Sequence, residues 1–252
     1  MSKSSERRNS IIAQLQDTPN LSSQQLAQAM RVTVQTIRSD LRYLAQAGVL
    51  ERTHGGAIAP SGVRHIEYTQ RRNLNRSVKD KIARATARLI PNDSSIFLNI
   101  GTTTEAIAKA LHHHQNLIVV TNNLNVATIL ASHPSAQVVV TGGQLRQTDG
   151  GLTGDLAVHT VQQFRVDYAI IGASALDASG DLLDFDPQEV RVTQTILDQA
   201  RVSILVADGS KFQRVAPVRI TSMQNLDHVV IDHMSEVLFN TLADAKTNVH
   251  LV

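Results

Sequence analysis

Beyond Lys79 the chain keeps returning to one pattern: a short apolar run, a polar or glycine-rich turn, then a helical stretch. The runs cover residues 95–100, 117–120, 137–140, 168–171, 203–207 and 228–231, and the helical stretches include 105–112 and 124–132. Each run has the length of a strand. Strands that alternate with helices build a largely parallel sheet, because parallel neighbours need a crossover and the crossover helix covers a sheet face. A helix carrying Ile82, Ala85, Ala87, Leu89 and Ile90, ended by Pro91, leads into the first strand. The expected fold over residues 79–252 is therefore an α/β domain. Ligands of such sheets sit beyond the carboxyl ends of the strands, so those turns are where binding residues belong.

Five of the turns are chemically rich. The first, Asn99-Ile100-Gly101-Thr102-Thr103-Thr104, runs straight into a helix. Glycine permits a tight turn, the threonines donate, and the helix start aims free amides at one spot, which suits a phosphate. The others are Thr121-Asn122-Asn123, Thr141-Gly142-Gly143 with Arg146, Gly172-Ala173-Ser174 and Asp208-Gly209-Ser210-Lys211-Phe212. Threonines that merely cap their helix would explain the first turn alone; five polar strand ends favour a small polyhydroxy phosphate. Its phosphate is expected on Gly101, Thr102, Thr103 and Thr104, with Lys211 or Arg191 as countercharge. Asn122 and Asn123 both donate to and accept from hydroxyls. Gly142 and Gly143 admit close backbone approach, while Arg146 and Ser174 complete the set. Glu189 and Asp208 either accept ligand hydroxyl protons or serve the protein itself, Glu189 by pairing around Arg191 and Asp208 by capping its turn.

The near-neutral total charge conceals a division. Residues 1–90 hold 15 Lys/Arg against 6 Asp/Glu, a net +9, whereas the rest hold 9 against 16, a net −7. A basic module for a polyanion is thus joined to an acidic one with another task. Within the basic part, Ile11, Ile12 and Leu15 lie at helical spacing, and Ser22-Ser23-Gln24-Gln25 makes a capping box for a helix with Leu26, Ala27 and Met30 inward. Thr33 caps a third helix with Val34, Ile37, Leu41 and Leu44 on one stripe, and Gly48 stops it. Its other face presents Gln35, Thr36, Arg38, Ser39 and Arg42, with Thr33 at its start, hydrogen-bonding and cationic groups suited to a major groove. Residues 49–58 read as two strands around a glycine turn, adding Arg52 and His54. Three helices and a hairpin form a winged helix-turn-helix over 1–58, directed at double-stranded DNA. Single strands are disfavoured because aromatics are 3% of the chain and none interleaves the third helix. Residues 59–78, with Pro60, Ser61, Gly62, Arg64, Arg71, Arg72 and Arg76, read as a linker.

The segments Thr36-Ile37-Arg38-Ser39-Asp40-Leu41 and Arg52-Thr53-His54-Gly55-Gly56-Ala57 resemble the DNA-binding region of DeoR-type bacterial repressors. Ser39 stands where that family usually has a second arginine, which takes one phosphate or base contact out of the pattern. Asp40 is expected to pair with a nearby arginine. The second half is similar to the same family, in 120–127, Asp149-Gly150-Gly151, 163–167, Phe185-Asp186, Glu189-Val190-Arg191 and Ser210-Lys211-Phe212. The resemblance implies an effector domain like the sugar-phosphate isomerases and CoA-transferases. It also implies a repressor of carbohydrate or glycerol catabolism, freed from operator DNA by a phosphorylated sugar or sugar alcohol, sn-glycerol 3-phosphate foremost. A homo-oligomer, dimer or tetramer, would read paired half-sites.

The rival reading is an isomerase-like enzyme with an appended DNA-binding module, with Glu189 or Asp208 as base and Lys211 as electrophile. Such an enzyme has no use for the DNA-reading head, so no catalytic residue is assigned. The absence of cysteine excludes a disulfide scaffold, a thiolate zinc site and a cysteine nucleophile. His112, His113 and His114 are consecutive and point about 100° apart on a helix, so they share no ion. No metal and no cofactor is expected. No apolar run approaches the roughly 20 residues of a membrane span, and residues 1–10 lack the apolar centre of a signal peptide, so a cytoplasmic protein is expected.

Overall fold

The structure, a computed structural model, describes residues 3–18, 20–46, 50–58 and 68–252. The helix stop expected at Gly48, the start of the first wing strand at Val49 and linker residues 59–67 lie outside the described residues. The chain forms two compact units, Met1–Leu74 and Asn75–Val252.

The first unit contains α1 (Lys3–Asp17), β1 (Asn20–Ser22), α2 (Ser23–Ala29), α3 (Val34–Gln46), β2 (Glu51–Arg52), β3 (Gly56–Ile58) and α4 (Tyr68–Asn73). Ile11 and Leu15 of α1, Leu26 and Ala27 of α2, and Ile37, Leu41 and Leu44 of α3 share one apolar core, closed by Leu50 and Ala57 of the wing. The capping box forms as its spacing predicts: Ser22 Oγ accepts from the Gln25 amide at 3.2 Å and Gln25 Oε1 accepts from the Ser22 amide at 2.8 Å. Sequence pattern did not announce β1. It pairs with β3, making a three-stranded wing in the order β1-β3-β2. That pairing explains Gly56, where a Cβ would lie 2.0 Å from the Leu21 carbonyl oxygen.

The second unit opens with α5 (Arg76–Ala87) and β4 (Ser95–Leu98), followed by α6 (Thr102–Ala110), β5 (Ile118–Thr121), α7 (Leu124–Leu130) and β6 (Gln137–Val140). A hairpin of β7 (Gln144–Arg146) and β8 (Gly151–Thr153) precedes α8 (Asp155–Gln162) and β9 (Val166–Ile171). Then come β10 (Ala175–Leu176), β11 (Asp181–Asp184), α9 (Pro187–Asp198), β12 (Ala200–Ala207), β13 (Val218–Ser222), β14 (His228–Ile231), α10 (Glu236–Asp244) and β15 (Asn248–Leu251). Residues 76–78, grouped with the linker by their charged neighbours, form the first turn of α5, whose apolar stripe begins at Val78.

Seven strands form one parallel sheet in the order β15-β14-β12-β9-β4-β5-β6. All six runs read from sequence enter it. The seventh, β15, and the small antiparallel sheet β10-β11-β13 were not foreseen, being short and weakly apolar. Alternation along each strand divides the core in two. Ile96, Leu98, Val119, Ile170, Ile204, Val206 and Val230 meet α5, α6 and α7 on one face. Phe97, Val120, Ala169, Ile171, Leu205, Val229 and Ile231 meet α8, α9 and α10 on the other. A sheet covered on both faces is why its strands read as continuous apolar runs.

Candidate functional site

The first candidate surface belongs to α3 and the wing. Gln35, Arg38, Ser39 and Arg42 are exposed along one face of α3, opposite buried Ile37, Leu41 and Leu44. Arg52 and His54 are exposed on the wing. Thr33 and Thr36 play a structural part: Thr33 Oγ1 accepts from the Thr36 amide at 3.2 Å, and the two hydroxyls lie 2.9 Å apart. Asp40 sits on the inner face, 2% exposed, where it accepts from Arg7 Nε at 2.5 Å and Arg8 Nε at 2.9 Å. The Arg8 guanidinium also covers the Tyr43 ring, 3.7 Å from its centroid. These contacts fasten α1 to α3 and hold the polar face outward.

The second candidate site lies at the carboxyl edge of the large sheet. From β4 the chain winds outward through β5 to β6, and from β9 outward the other way through β12, β14 and β15. The topological switch point therefore falls between β4 and β9, the place where such sheets open a crevice. On one side of it stand Asn99 and the Gly101 turn; on the other, Gly172-Ala173-Ser174.

Asn99 is 2% exposed; its Oδ1 accepts from the Ile100 amide at 2.7 Å and its Nδ2 donates to Thr193 Oγ1 at 2.8 Å. Gly101 precedes α6 with φ of 148° and brings no side chain to cap it, so the leading amides of α6 are left to other acceptors. Thr103 is buried and Thr102 half-buried at that start. Thr104 differs from expectation: its hydroxyl donates back to the Asn99 and Gly101 carbonyls, both at 2.7 Å, and so shapes the turn.

At the end of β5, Asn122 and Asn123 are fully buried. Asn122 Nδ2 donates to the Leu152 carbonyl at 3.2 Å, and Asn123 Oδ1 caps α7 by accepting from the Asn125 amide at 2.9 Å. Their remaining polar atoms, Asn122 Oδ1 and Asn123 Nδ2, are buried without a hydrogen-bond partner. Burying an amide atom unpaired costs about 1–3 kcal/mol, so a pair on adjacent residues requires a reason. Residues 149–153 cross over these strand ends, with the Leu152 amide on the Asn122 carbonyl at 2.7 Å and the Leu124 amide on the Gly150 carbonyl at 2.9 Å. Gly143 serves this packing, since a Cβ there would lie 2.5 Å from the Thr153 carbonyl oxygen. Gly142 leads into the same turn, and Ser174 is buried beyond β9 with its amide on the Leu183 carbonyl at 3.1 Å.

Arg146 and Arg191 part company. Arg146 is ringed by carboxylates, bonding Asp149 at 2.8 Å, Asp186 at 3.2 Å and Glu189 at 2.6 Å. Glu189 thus pairs with Arg146 and not around Arg191. Burial pushes the Glu189 carboxyl up to about 8, and the charge of Asp184 adds to that, outweighing Arg146. Burial works against the Arg146 charge too, but the bond to Asp149 and the charges of Glu189 and Asp149 prevail and raise its pKa. Arg191 is 66% exposed on α9 and bonds Asp155 at 2.6 Å. With Gly143, Gln144, Thr153, Gly154 and Gln188 it lines a cavity of about 460 Å³ beside the hairpin.

Asp208, 2% exposed, follows β12 and caps the next turn, accepting from the Ser210 amide at 3.2 Å. Burial would raise its pKa, yet the Lys211 charge and the bonds from Ser210 and Asn75 hold it below the usual value. Asn75, Asn99, Asp149 and Asp184 are the neighbours that sequence reasoning did not assign to the site. Asn99 and Asp149 carried a signal, Asn99 as the first residue of the Gly101 turn and Asp149 in the Asp149-Gly150-Gly151 motif. Elsewhere, His114 Nε2 lies 3.0 Å from the Ala87 and Ile90 carbonyls, a structural contact, while His112 and His113 are exposed. Among the described residues no cluster could hold a metal ion, and no helix is long and apolar enough to cross a membrane.

A winged helix-turn-helix with an outward cationic face, joined to a doubly wound domain with a polar strand edge, is the construction of a ligand-responsive DNA-binding regulator. Residues 7–63 match the DeoR-like helix-turn-helix domain and residues 74–233 the DeoR C terminal sensor domain, and the chain belongs to the DeoR family. It is 42% identical over 249 residues to a glycerol-3-phosphate regulon repressor of Haemophilus influenzae, covering 99% of this chain and 97% of that protein. A repressor of the same name from Escherichia coli is 41% identical over 230 residues, 91% of each chain. Among solved structures, ribose 5 phosphate isomerase A from Neisseria gonorrhoeae aligns with 53% of this chain and 52% of its own at 15% identity, with a TM-score of 0.39.

Proposed function

We propose that the chain is a transcriptional repressor of glycerol or related carbohydrate catabolism, released from double-stranded operator DNA by a small phosphorylated effector, sn-glycerol 3-phosphate first. The observation that carries the effector reading is the buried, unpaired pair Asn122 Oδ1 and Asn123 Nδ2. One accepts and the other donates, which is what a vicinal polyol offers in return. The uncapped start of α6 at Gly101, with Thr102 and Thr103, supports a phosphate next to them. Lys211, on the turn that follows β12 at the same strand edge, is the cation assigned to that phosphate. Relatives named for the glycerol-3-phosphate regulon support the choice of effector.

On the DNA side Arg38, Gln35 and Ser39 read the groove, with Arg42, Arg52 and His54 on the backbone. Two or more heads in a homo-oligomer would span paired half-sites, in the cytoplasm where the chromosome lies. We read the strand edge as a sensor and not as a catalyst, because Glu189, the best-placed base, is buried and held at 2.6 Å by Arg146. The test is release of the protein from operator DNA by a panel of small sugar and polyol phosphates. sn-Glycerol 3-phosphate should release the unaltered protein, and Asn122→Ala should need at least about tenfold more ligand, with its operator affinity retained. Release of Asn122→Ala at the original concentration, or no release by any member of the panel, would overturn this reading.

A further inference from the structure

Two neighbouring residues belong to different parts of the molecule. Leu74 packs against the apolar core of the head. The next residue, Asn75, opens the second unit, with its carbonyl accepting from the Lys79 amide at 2.9 Å. Asparagine in front of a helix ordinarily turns its side chain onto the helix's own first amides. Asn75 does not: it makes no such cap bond and holds a left-handed backbone, φ 52° and ψ 34°. Its Nδ2 reaches instead to Asp208 Oδ1 at 2.9 Å, 133 residues further along the chain, with Ser210 Oγ 3.4 Å away. Asp208 is 2% exposed and Asn75 half-buried, so the contact is partly shielded from water.

We propose that Asn75 couples the strand-end site to the DNA-binding head, its bond to Asp208 being the connection through which occupancy of the Asp208–Lys211 turn reaches the segment that carries the head. The inference rests on the reading of that strand edge as the effector site. A left-handed backbone is unfavourable for a residue with a Cβ, and asparagine bears it most readily when its side chain is bonded. A ligand phosphate drawn to Lys211 places an anion beside the Asp208 carboxylate, and their repulsion displaces Asp208 from the Asn75 amide. Asn75 then relaxes, and the direction in which the chain leaves Leu74 changes with it. Coupling of this kind is a free energy shared by two sites, so it is measurable from either one.

The experiment uses the full chain and Asn75→Gly, which tolerates the left-handed backbone and removes the side chain that bonds Asp208. Binding of sn-glycerol 3-phosphate is followed by calorimetry and operator affinity by fluorescence anisotropy, with and without that ligand. Asn75→Gly should keep both separate affinities within about threefold of the unaltered protein. The ligand-induced loss of operator affinity should shrink by about tenfold or more. Release equal to that of the unaltered protein overturns the coupling role. If the unaltered protein neither binds this ligand nor is released by it, the effector reading fails, and the coupling is judged by a cycle without ligand. Asp208→Ala should then change operator affinity at least about threefold, and in the Asn75→Gly background that change should vanish. An equal change in both backgrounds, or none from Asp208→Ala in a protein that melts cooperatively, overturns the proposal. Asp208→Asn takes its place if Asp208→Ala does not fold.

Discussion

Glu189 and Arg146 show how much a single contact depends on its surroundings. An ion pair at 2.6 Å ordinarily lowers a carboxyl pKa, yet Glu189 is pushed up to about 8, because its burial and the charges of Asp184 and Asp149 outweigh Arg146. One guanidinium cannot neutralise several carboxylates at once. The linkage follows from the direction of the shift. The folded chain holds this proton more tightly than the unfolded chain, whose ordinary value is 4.5, so the associated stability is complete below that value and is lost as pH rises through about 8. Glu189→Gln, which cannot ionise, should flatten the fall in melting temperature between pH 5 and 8.5. The difference between the two proteins across that window should be on the order of a few kcal/mol. Parallel melting curves would remove Glu189 as the titrating group. The residue type was legible in the sequence, where Glu189 stood as a hydroxyl acceptor or an ion-pair partner. Its partner was not, because Arg146 and Glu189 are brought together only when the hairpin docks on α9.

At the scale of elements, the helix caps of the head, whose partners lie within a turn of each other, were read well. The Ser22–Gln25 capping box and the Thr33 cap both form, since three residues of separation fix their geometry. β1 escaped because its three residues gain strand character only from β3, which lies more than thirty positions further along the chain. Asp40 stands between these cases: the expectation of an arginine partner holds, but Arg7 and Arg8 lie on another helix. Asp40→Ala would leave two half-buried guanidinium groups unanswered and free α1 from α3. A loss of about 2–4 kcal/mol in stability is expected, as is a larger loss of operator binding than of non-specific DNA binding. Chemical denaturation and competition with unrelated DNA measure the two. Equal losses on both DNAs would mean that the contact serves stability and leaves the reading face in place.

Over the whole molecule, charge separates the two tasks. Residues 1–74, the unit that carries the head, hold 10 Lys/Arg against 5 Asp/Glu, a net +5, and residues 75–252 hold 14 against 17, a net −3, which gives the head its attraction for phosphates and keeps the sensor from competing for them. Operator affinity should therefore fall linearly with salt on logarithmic axes, and Arg42→Ala should reduce that slope by about one for each head if Arg42 meets a phosphate. A slope unchanged in the variant would move Arg42 off the DNA backbone.

What the sequence determined by itself is the succession of strands and helices, the two-module plan and the polar character of the strand ends. These follow from periodicity and turn chemistry, which act over a few residues. Tertiary structure decided which strand ends become neighbours, and hence that the Asn99–Gly101 turn and the Gly172–Ser174 turn face the switch point together. It also decided which of 16 carboxylates beyond residue 90 meets which of 9 cations, and that Asn75 bonds Asp208 across 133 positions. Charge composition is indifferent to such pairings. Only the order of strands in the sheet, set by burial of two apolar faces at once, brings those particular groups within reach of each other.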